Sequence, residues 1–237
     1  MRPTLKVNTM NLKHSKSVLL GTSALVCFAL SAPVVADDFV ITGSDGSTNG
    51  VGTTNGGTAA AIADTAINGS DTVSLGIALT TTGTNKGIQT TGGTNKVTVS
   101  EAGSITTAGS NTDGIHNDGS YNTTTVSGSI TTAGYSAYGI YNLGSTNTTT
   151  VSGSIRTGTG TYAYGINNRG ASNKTTVSGS IKTEGAGAHG IYNYGDNNTT
   201  TISGTVKAAG ASSAALYNFK GDGNSFTLNE GATIIGD

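Results

Sequence analysis

Short stretches of this chain alternate apolar and polar residues, and each stretch is followed by another like it. In one of them, Val126 and Ile130 lie four residues apart with Gly128 between them. On a strand with a side-chain period of two, both side chains face the same way. Thr124 shares that parity and should also point inward, whereas Thr125 should point to solvent. The pattern therefore predicts short strands with one buried face and one exposed face.

The stretch belongs to a repeat of 25 to 27 residues. The frame Asn-Thr-Thr-Thr-Val-Ser-Gly-Ser-Ile at Asn122 returns almost unchanged at Asn147, Asn173 and Asn198, and each copy is followed by Gly-Ile-Tyr-Asn or a variant of it. A period of this length indicates a repeat architecture, in which each unit buries its apolar side against the next. The units are rich in Gly and Thr and lack a period of 3.6, which argues against helical repeats. We therefore expect an all-β fold, a right-handed parallel β-helix or solenoid of about seven to eight coils.

Alignment of the copies predicts three apolar columns along the solenoid. The first contains Val73, Val99, Val126, Val151, Val177, Ile202 and Leu228. The second contains Ile77, Ile105, Ile130, Ile155, Ile181, Val206 and Ile234. The third contains Ile62, Ile88, Ile115, Ile140, Ile166, Ile191 and Leu216. Because neighbouring strands lie ~4.8 Å apart, each column should form a continuous core.

Columns of asparagine and glycine mark the corners. Asparagines follow the Gly-Ile strand at Asn117, Asn142, Asn168, Asn193 and Asn218, and they precede the Thr strand at Asn95, Asn122, Asn147, Asn173, Asn198 and Asn224. Stacked asparagines can pass amide hydrogen bonds from coil to coil, and they also tolerate the left-handed conformation. Glycines at positions 92, 119, 144, 170 and 195 should have positive φ at a tight corner.

The first 36 residues have the pattern of a secretory signal peptide. Basic residues precede an apolar run from Val18 to Leu30, and the segment ends in Ser-Ala-Pro-Val-Val-Ala, with cleavage expected after Ala36. The run is short and interrupted for a membrane anchor, so the mature chain should have no membrane span. We expect residues 1–36 to be the signal, residues 37–61 an irregular capping segment, and residues 62–237 the solenoid.

Removal of the signal changes the composition of the chain. It takes away both prolines, both methionines and the only cysteine, Cys27, so disulfide chemistry is not available after export. Residues 37–237 keep eight of the twelve Lys and Arg and all thirteen Asp and Glu, which gives a net charge of −5. A chain with this balance is not expected to bind nucleic acid through a basic face.

The repeats resemble the passenger domains of Gram-negative autotransporters, whose β-helical coils often read like Gly-Ile-Tyr-Asn followed by Asn-Thr-Thr-Thr-Val-Ser-Gly-Ser-Ile. The resemblance covers roughly residues 60–237. It implies a passenger that a C-terminal membrane β-barrel carries to the cell surface, commonly an adhesin or a toxin. Alternating strands of the barrel type are not found after Asn218. We therefore expect the export barrel to be missing from this chain, which would leave the protein periplasmic if it has no barrel partner.

Carboxylates are the first candidates for chemistry, because polysaccharide-active enzymes on β-helices need acids clustered on one face. Asp113 and Asp118 fall in columns whose other members are not acidic, and Glu101 and Glu230 lie about five coils apart. We therefore expect no catalytic residues and a non-enzymatic chain. A polysaccharide-active enzyme on the same fold remains an alternative.

Metal and cofactor sites have little support in the sequence. His116 and His189 lie three coils apart and no third His or Cys joins them in the repeats, so we expect exposed surface histidines, no metal site and no cofactor. Asn-x-Thr triplets at Asn122, Asn147, Asn173 and Asn198 match a glycosylation acceptor. Since the same asparagines already have a stacking role, we favour turn ladders over glycans.

Outward threonines provide a second alternative function. Thr125, Thr150, Thr176 and Thr201 form one file, which is similar to the hydroxyl arrays of ice-binding solenoids. Lys174 interrupts the adjoining file of Thr123, Thr148 and Thr199. Pairing of Thr and Ser between neighbouring strands is sufficient to explain these files.

Tyrosines are the feature best suited to binding. The repeat places the candidate residues near the Gly-Ile strand in two columns: Tyr138, Tyr164 and His189 in one, and Tyr141, Tyr192 and Tyr217 in the other. Aromatic anchors carry much of the energy of many interfaces, so we expect Tyr138, Tyr141, Tyr164, Tyr192 and Tyr217 to contact a glycan or a protein on a host surface. The alternative is that the rings only cover their neighbours along the stack.

Overall fold

The computed structural model describes residues 38–41, 48–49, 72–81 and 83–236 of the 237-residue chain. The elements in this part are all β-strands, and they form three sheets. Among these residues, none lies in a helix long and apolar enough to cross a membrane.

Sheet 1 holds the Thr strands. Its strands are β1 (Asp38–Ile41), β2 (Thr48–Asn49), β3 (Thr72–Leu75), β6 (Lys96–Val99), β9 (Thr123–Val126), β12 (Thr148–Val151), β15 (Lys174–Val177), β18 (Thr199–Ile202) and β21 (Ser225–Leu228). Within it, β1 pairs parallel with β3, and β2 pairs antiparallel with β1. One end of this sheet is therefore an antiparallel strand.

Sheets 2 and 3 complete each coil. Sheet 2 consists of β4 (Ala78–Thr81), β7 (Ser104–Thr107), β10 (Ser129–Thr132), β13 (Ser154–Thr157), β16 (Ser180–Thr183), β19 (Thr205–Ala208) and β22 (Thr233–Ile235). Sheet 3 consists of β5 (Ile88–Thr91), β8 (Ile115–Asp118), β11 (Ile140–Leu143), β14 (Ile166–Arg169), β17 (Ile191–Tyr194) and β20 (Leu216–Lys220). From β3 onward the chain visits the three sheets in turn, and each strand pairs parallel with its counterpart in the next coil. The predicted parallel β-solenoid of about seven coils is confirmed.

The core is built from the predicted apolar columns. Ile115, Ile140 and Ile166 pair in register across neighbouring coils, and each is fully buried. Thr124 is buried beside them while Thr125 is partly exposed, as the period of two predicts. Apolar burial of this kind contributes about 25 cal/mol per Å², so the stack of coils is what stabilises each unit.

The register of the first coil differs from the predicted one. Leu75, not Val73, pairs with Val99, and Leu79, not Ile77, pairs with Ile105. Val73 and Leu75 both face the core, two residues apart on one strand, so the pattern allowed either register. Ile62, also assigned to a column, lies outside the described residues.

Positive φ angles occur at the corners, as predicted for the glycines. Gly92, Gly119, Gly144, Gly170 and Gly195 have φ between 72° and 156°. At Gly144 a Cβ would also lie 2.3 Å from the carbonyl oxygen of Gly119, so two coils approach too closely for a side chain. The asparagines of the corner ladder do not have positive φ. The residue before each of them does: Thr94, Tyr121, Thr146, Ser172 and Asn197.

Two asparagine ladders run along the inside, as predicted. Asn168 illustrates the first, because its Oδ1 accepts from Nδ2 of Asn142 at 2.8 Å and its Nδ2 donates to Oδ1 of Asn193 at 2.9 Å. In the second ladder, the main-chain N–H of Asn122 donates to Oδ1 of Asn147 at 2.8 Å. In both ladders the Oδ1 atoms thus accept from the equivalent asparagine of a neighbouring coil, and in the second ladder Nδ2 donates instead to a glycine carbonyl oxygen.

Candidate functional site

An aromatic strip lies along the outer side of sheet 3. We define it as Tyr138, Tyr141, Tyr164, His189, Tyr192, Tyr217 and Phe219. Strand register places Tyr141, Tyr192 and Tyr217 at one position of successive or alternate coils, with Asn167 between the first two. The two-column arrangement of the tyrosines is therefore as predicted. All five candidate tyrosines are partly buried.

Within the strip the rings stack on one another along the solenoid. Tyr164 lies 5.2 Å from Tyr138 at an interplanar angle of 16°, and 4.7 Å from Tyr192 at 12°. The stack continues through Tyr217, which is 5.7 Å from Tyr192, and Phe219, 6.4 Å from Tyr217. Tyr141 differs, since it meets Tyr138 at 61°. Nearly parallel aromatic pairs at these distances are favourable beyond their buried area.

Stacking decides which parts of the tyrosines can meet a partner. In the middle of the strip the faces of Tyr164 and Tyr192 are turned toward neighbouring rings, so their edges and hydroxyl groups are what remains for contact. Burial raises the pKa of Tyr138, with the charge of Asp113 next in importance, and burial also raises the pKa of Tyr164. These phenols are therefore neutral hydrogen-bonding groups at physiological pH.

Two cations lie close to aromatic rings of β17 and β20, within or beside the strip. The guanidinium of Arg169 lies 5.6 Å from the centre of the Tyr194 ring, and Nζ of Lys220 lies 5.4 Å from that of Phe219. A hydrogen bond with Tyr141 raises the pKa of Arg169. Cation–π contacts of this kind help to hold exposed aromatic side chains.

A buried amide lies within the strip. Asn167 occupies the position that Tyr141 and Tyr192 occupy in the coils on either side, and it is only 5% exposed. Its Oδ1 has no hydrogen-bond partner among the described residues. Within the part of the chain that the structure describes, this buried oxygen is therefore an uncompensated polar atom.

Asp113 and His116 correct a prediction from the sequence. Nδ1 of His116 lies 2.7 Å from Oδ2 of Asp113, and the side chains are both buried. Oδ1 of Asp113 also accepts a hydrogen bond from the main-chain N–H of Tyr138 at 2.9 Å. The expectation that His116 is an exposed surface residue is therefore wrong, because a carboxylate three residues before it provides a buried partner.

His189 is also held by the fold, although less deeply. Its Nδ1 accepts a hydrogen bond from the main-chain N–H of Ala214 at 2.9 Å. A protonated Nδ1 could not accept this bond, so the neutral ring with its proton on Nε2 is the form that fits. Burial lowers the pKa of His189. Its ring lies 4.2 Å from Tyr217 at 5°, so it continues the aromatic stack.

The other carboxylates considered for chemistry lie apart. Glu184 pairs with Arg156 at 2.6 Å and with Lys182 at 2.5 Å on the outer side of sheet 2, and hydrogen bonds from both lower its pKa, with Lys182 contributing more. Glu101 is exposed at the corner between sheets 1 and 2, in an open groove lined mainly by Ser and Gly. Asp118 is exposed at the end of β8.

The asparagines of the Asn-x-Thr triplets have the structural role that we favoured. Asn122, Asn147, Asn173 and Asn198 are each at most 1% exposed. Nδ2 of Asn147, for example, donates to the carbonyl oxygen of Gly119 at 3.0 Å. An amide that is buried and hydrogen-bonded in this way is not accessible for glycosylation in the folded chain.

Sequence reasoning missed two structural features. Phe219 joins the stack although its column carries Leu, Arg and Tyr in other copies, and β20 has an irregularity in pairing beside it. Buried threonines close the corner between sheets 2 and 3: Oγ1 of Thr132 donates to the carbonyl oxygen of Ala137 at 2.7 Å, and Thr157 and Thr183 do the same in their coils. The repetition of Thr at this position was the available signal.

Comparison of the chain with models of known protein families, with curated proteins and with solved structures found no significant match.

Proposed function

We propose that the chain is an exported, surface-associated β-solenoid that acts as an adhesin or structural passenger and has no enzymatic activity. The signal-peptide pattern of residues 1–36 supports export, and the resemblance of the repeats to autotransporter passengers supports a place at the cell surface. The partner in this proposal is a glycan or a protein of a host surface.

The aromatic strip is the observation that carries this proposal. Its rings follow one another at 4.2 to 6.4 Å over the coils from Tyr138 to Phe219, on a scaffold whose strands pair in register. Partly exposed aromatic side chains that are held rigidly lose little conformational entropy on binding. Such a strip can therefore contact an extended partner over several coils.

Placement of the carboxylates supports a non-enzymatic role. General acid–base chemistry on a glycosidic bond requires two carboxyl groups about 5 to 10 Å apart. Asp113 is engaged by His116 and by the main chain of Tyr138, and Glu184 is engaged by two cations. The proposal thus leaves these side chains to structural roles.

Sheet 1 bears on the ice-binding alternative. The file next to Thr125 contains Lys96 and Lys174 in register with Thr123 and Thr148. Two lysines on this face interrupt the flat array of methyl and hydroxyl groups. We expect the purified protein not to shape growing ice crystals, and faceted crystals would make ice binding the better proposal.

The proposal is tested by binding to host cells. Tyr141, Tyr164 and Tyr192 are changed together to Ser, and binding of the purified variant is compared with that of the unaltered protein. Binding should fall at least about tenfold, because the central anchors of the strip are removed. The matched control changes Thr125, Thr150 and Thr176 together to Ser on sheet 1, which should not affect binding.

A β-sheet spectrum and a thermal melt establish that both variants are folded. Undiminished binding by the folded tyrosine variant would contradict the role of the strip. Release of oligosaccharides from neutral or acidic polysaccharides by the unaltered protein, abolished by changing Asp113, Asp118 or Glu184, would favour an enzyme instead.

A further inference from the structure

A groove runs beside the aromatic strip, at the corner where the chain passes from sheet 2 to sheet 3. Its aromatic lining residues are Tyr162, His189 and Tyr217. Gly187 also lines it, and Thr161 and Ser212 add side chains that carry hydroxyl groups. A concave site with aromatic walls and a few polar groups is the usual form of a small-ligand site.

Tyr162 is an exception in its column. The equivalent residues are Asn111, Ser136, Gly187 and Ser212, and all five have left-handed φ between 46° and 61°. Small polar residues and Gly are the usual choice for this conformation. Tyr162 instead places a large ring there, with 49% of its surface exposed. Its ring meets Tyr135 of the preceding coil edge-on at 6.3 Å, whereas the other copies show that the corner also forms with small residues.

The lack of a side chain at Gly187 leaves room for the ring of Tyr162. A Cβ at Gly187 would lie 2.7 Å from Cε1 and 2.9 Å from Cδ1 of Tyr162, so the ring lies against the glycine of the next coil. Any side chain at Gly187 would push the ring away. The pair therefore fixes the position of an exposed aromatic ring that lines the groove.

His189, which also lines the groove, carries a hydrogen-bond donor. His189 is stacked between Tyr164 at 5.2 Å and Tyr217 at 4.2 Å. Because Ala214 donates to its Nδ1, the remaining proton lies on Nε2. Burial lowers the pKa of His189, so the ring carries no charge near neutral pH. His189 therefore contributes the edge of a stacked ring and a neutral N–H to the lining of the groove.

The described residues that line the groove include no Asp, Glu, Lys or Arg. A charged ligand would therefore lose water without gaining an ion pair. An uncharged ligand with an apolar face and several hydroxyl groups fits better, since C–H groups pack on the negative face of an aromatic ring and hydroxyls pair with Thr, Ser and His donors. A pyranose ring has both features.

We propose that this groove binds a neutral pyranose residue of a glycan, packed on Tyr162 and hydrogen-bonded by Thr161, Ser212 and Nε2 of His189. The proposal rests on the adhesin function and names the ligand class for one end of the binding surface. Tyr217 belongs to both the groove and the aromatic strip, so a longer glycan could continue onto the strip. A peptide would have to satisfy its main-chain amides in a groove with few polar groups, which makes it the less suitable occupant.

The test measures binding of the purified protein to immobilised oligosaccharides ending in galactose, glucose, mannose or N-acetylglucosamine, with sialylated forms alongside. Cell-surface glycans and microbial polysaccharides are tested in separate arms, because both carry such sugars. At least one neutral oligosaccharide should bind, and addition of sialic acid to the terminal sugar should not improve its binding.

Variants then assign the binding to the groove. Tyr162→Asn should weaken the affinity at least about tenfold, because the packing ring is lost. Gly187→Asn keeps Tyr162 but displaces its ring, and it should have a similar effect. The control is Tyr121→Asn, since Tyr121 is also an exposed tyrosine with left-handed φ, at a different corner. Asn occurs naturally in both columns, at Asn111 and at Asn197, so the fold should tolerate each change.

The possible outcomes distinguish the groove proposal from the proposed adhesin function. Saccharide binding lost in Tyr162→Asn but kept in Tyr121→Asn supports the proposal. Saccharide binding that survives in folded Tyr162→Asn overturns it. If no neutral saccharide binds while host cells still bind through the aromatic strip, the groove proposal is wrong and the adhesin function stands. If the unaltered protein binds neither a neutral saccharide nor host cells, both proposals are contradicted.

Discussion

Asp113 and His189 occupy the same position three coils apart, and each accepts a hydrogen bond from the main-chain N–H of the next residue in its column. Oδ1 of Asp113 accepts from Tyr138, and Nδ1 of His189 accepts from Ala214, at 2.9 Å in both cases. Two chemically different side chains thus satisfy the same group of the next coil. The equivalence indicates which substitution can replace the imidazole without loss of this bond.

The pH dependence of stability should include a contribution from His189. Burial lowers its pKa from the usual 6.5, so the unfolded chain takes up a proton before the folded chain as the pH falls. The stabilisation is complete above pH 6.5 and is lost as the pH falls through the pKa of the folded state. His189→Asn keeps an acceptor for Ala214 and removes the titration. The free energy of unfolding, measured with a denaturant at about pH 7.5 and about pH 5, should differ less between the two pH values in the variant than in the unaltered protein.

An equal change in the free energy of unfolding between the two pH values in both proteins would contradict this assignment. The two proteins share all their other titratable groups, so the comparison isolates His189.

Asn168, in the amide ladder, should contribute far more to stability than Asn167, the residue before it on the same strand. Asn168→Ala removes three hydrogen bonds, to Asn142, Thr175 and Asn193, and leaves buried polar atoms without partners. We expect a loss of roughly 3 kcal/mol in the free energy of unfolding. Asn167→Ala makes the same chemical change on the opposite face, where Oδ1 has no partner in the described part of the chain, and should cost about 1 kcal/mol or less. Urea titrations that gave the same cost for both would show that the ladder adds little.

The face assignment of the core is tested by introducing a charge. Ile140 is fully buried between Ile115 and Ile166, so Ile140→Asp places an unpaired carboxylate in an apolar column. The central coils should lose about 4 kcal/mol or more. Thr125→Asp lies on the outer side of sheet 1 and should cost about 1 kcal/mol or less. Thermal melts followed by circular dichroism distinguish the two, and equal losses would mean that the faces are wrongly assigned.

Alanine substitutions at Gly144 and Gly83 should distinguish the cost of backbone strain from the cost of close contact between coils. Both have positive φ, of 148° and 70°. A Cβ at Gly144 would lie 2.3 Å from the carbonyl oxygen of Gly119, whereas a Cβ at Gly83 would meet none of the described residues within 4 Å. Gly83→Ala should therefore cost only about 1 to 2 kcal/mol, from the left-handed conformation. Gly144→Ala should exceed about 4 kcal/mol, because coils must also move apart.

Denaturant unfolding of the two glycine variants provides the measurement. A cost for Gly144→Ala no larger than that for Gly83→Ala would mean that the coils can separate at this corner without penalty.

The periodic part of the fold could be predicted from the sequence because two independent periods act together. A period of two along each strand decides that Ile140 points inward and Tyr141 outward, and the 25-to-27-residue repeat decides that Ile140 meets Ile115 and Ile166. The asparagine ladders follow from the same rule, since identical residues at identical positions come into contact in a parallel stack. The first coil was assigned to the wrong register because Val73 and Leu75 satisfy the same strand parity.

Positions that vary from copy to copy were decided by the tertiary structure alone. The burial of His116 depends on Asp113, and the fit of the Tyr162 ring depends on the absence of a side chain at Gly187 in the next coil. The diagonal stack of Tyr164 on Tyr192 crosses from one column to another. Repetition fixes which residues become neighbours. The rotamer each varied side chain takes depends on the particular residues around it in adjacent coils, and those contacts have no period for a sequence to display.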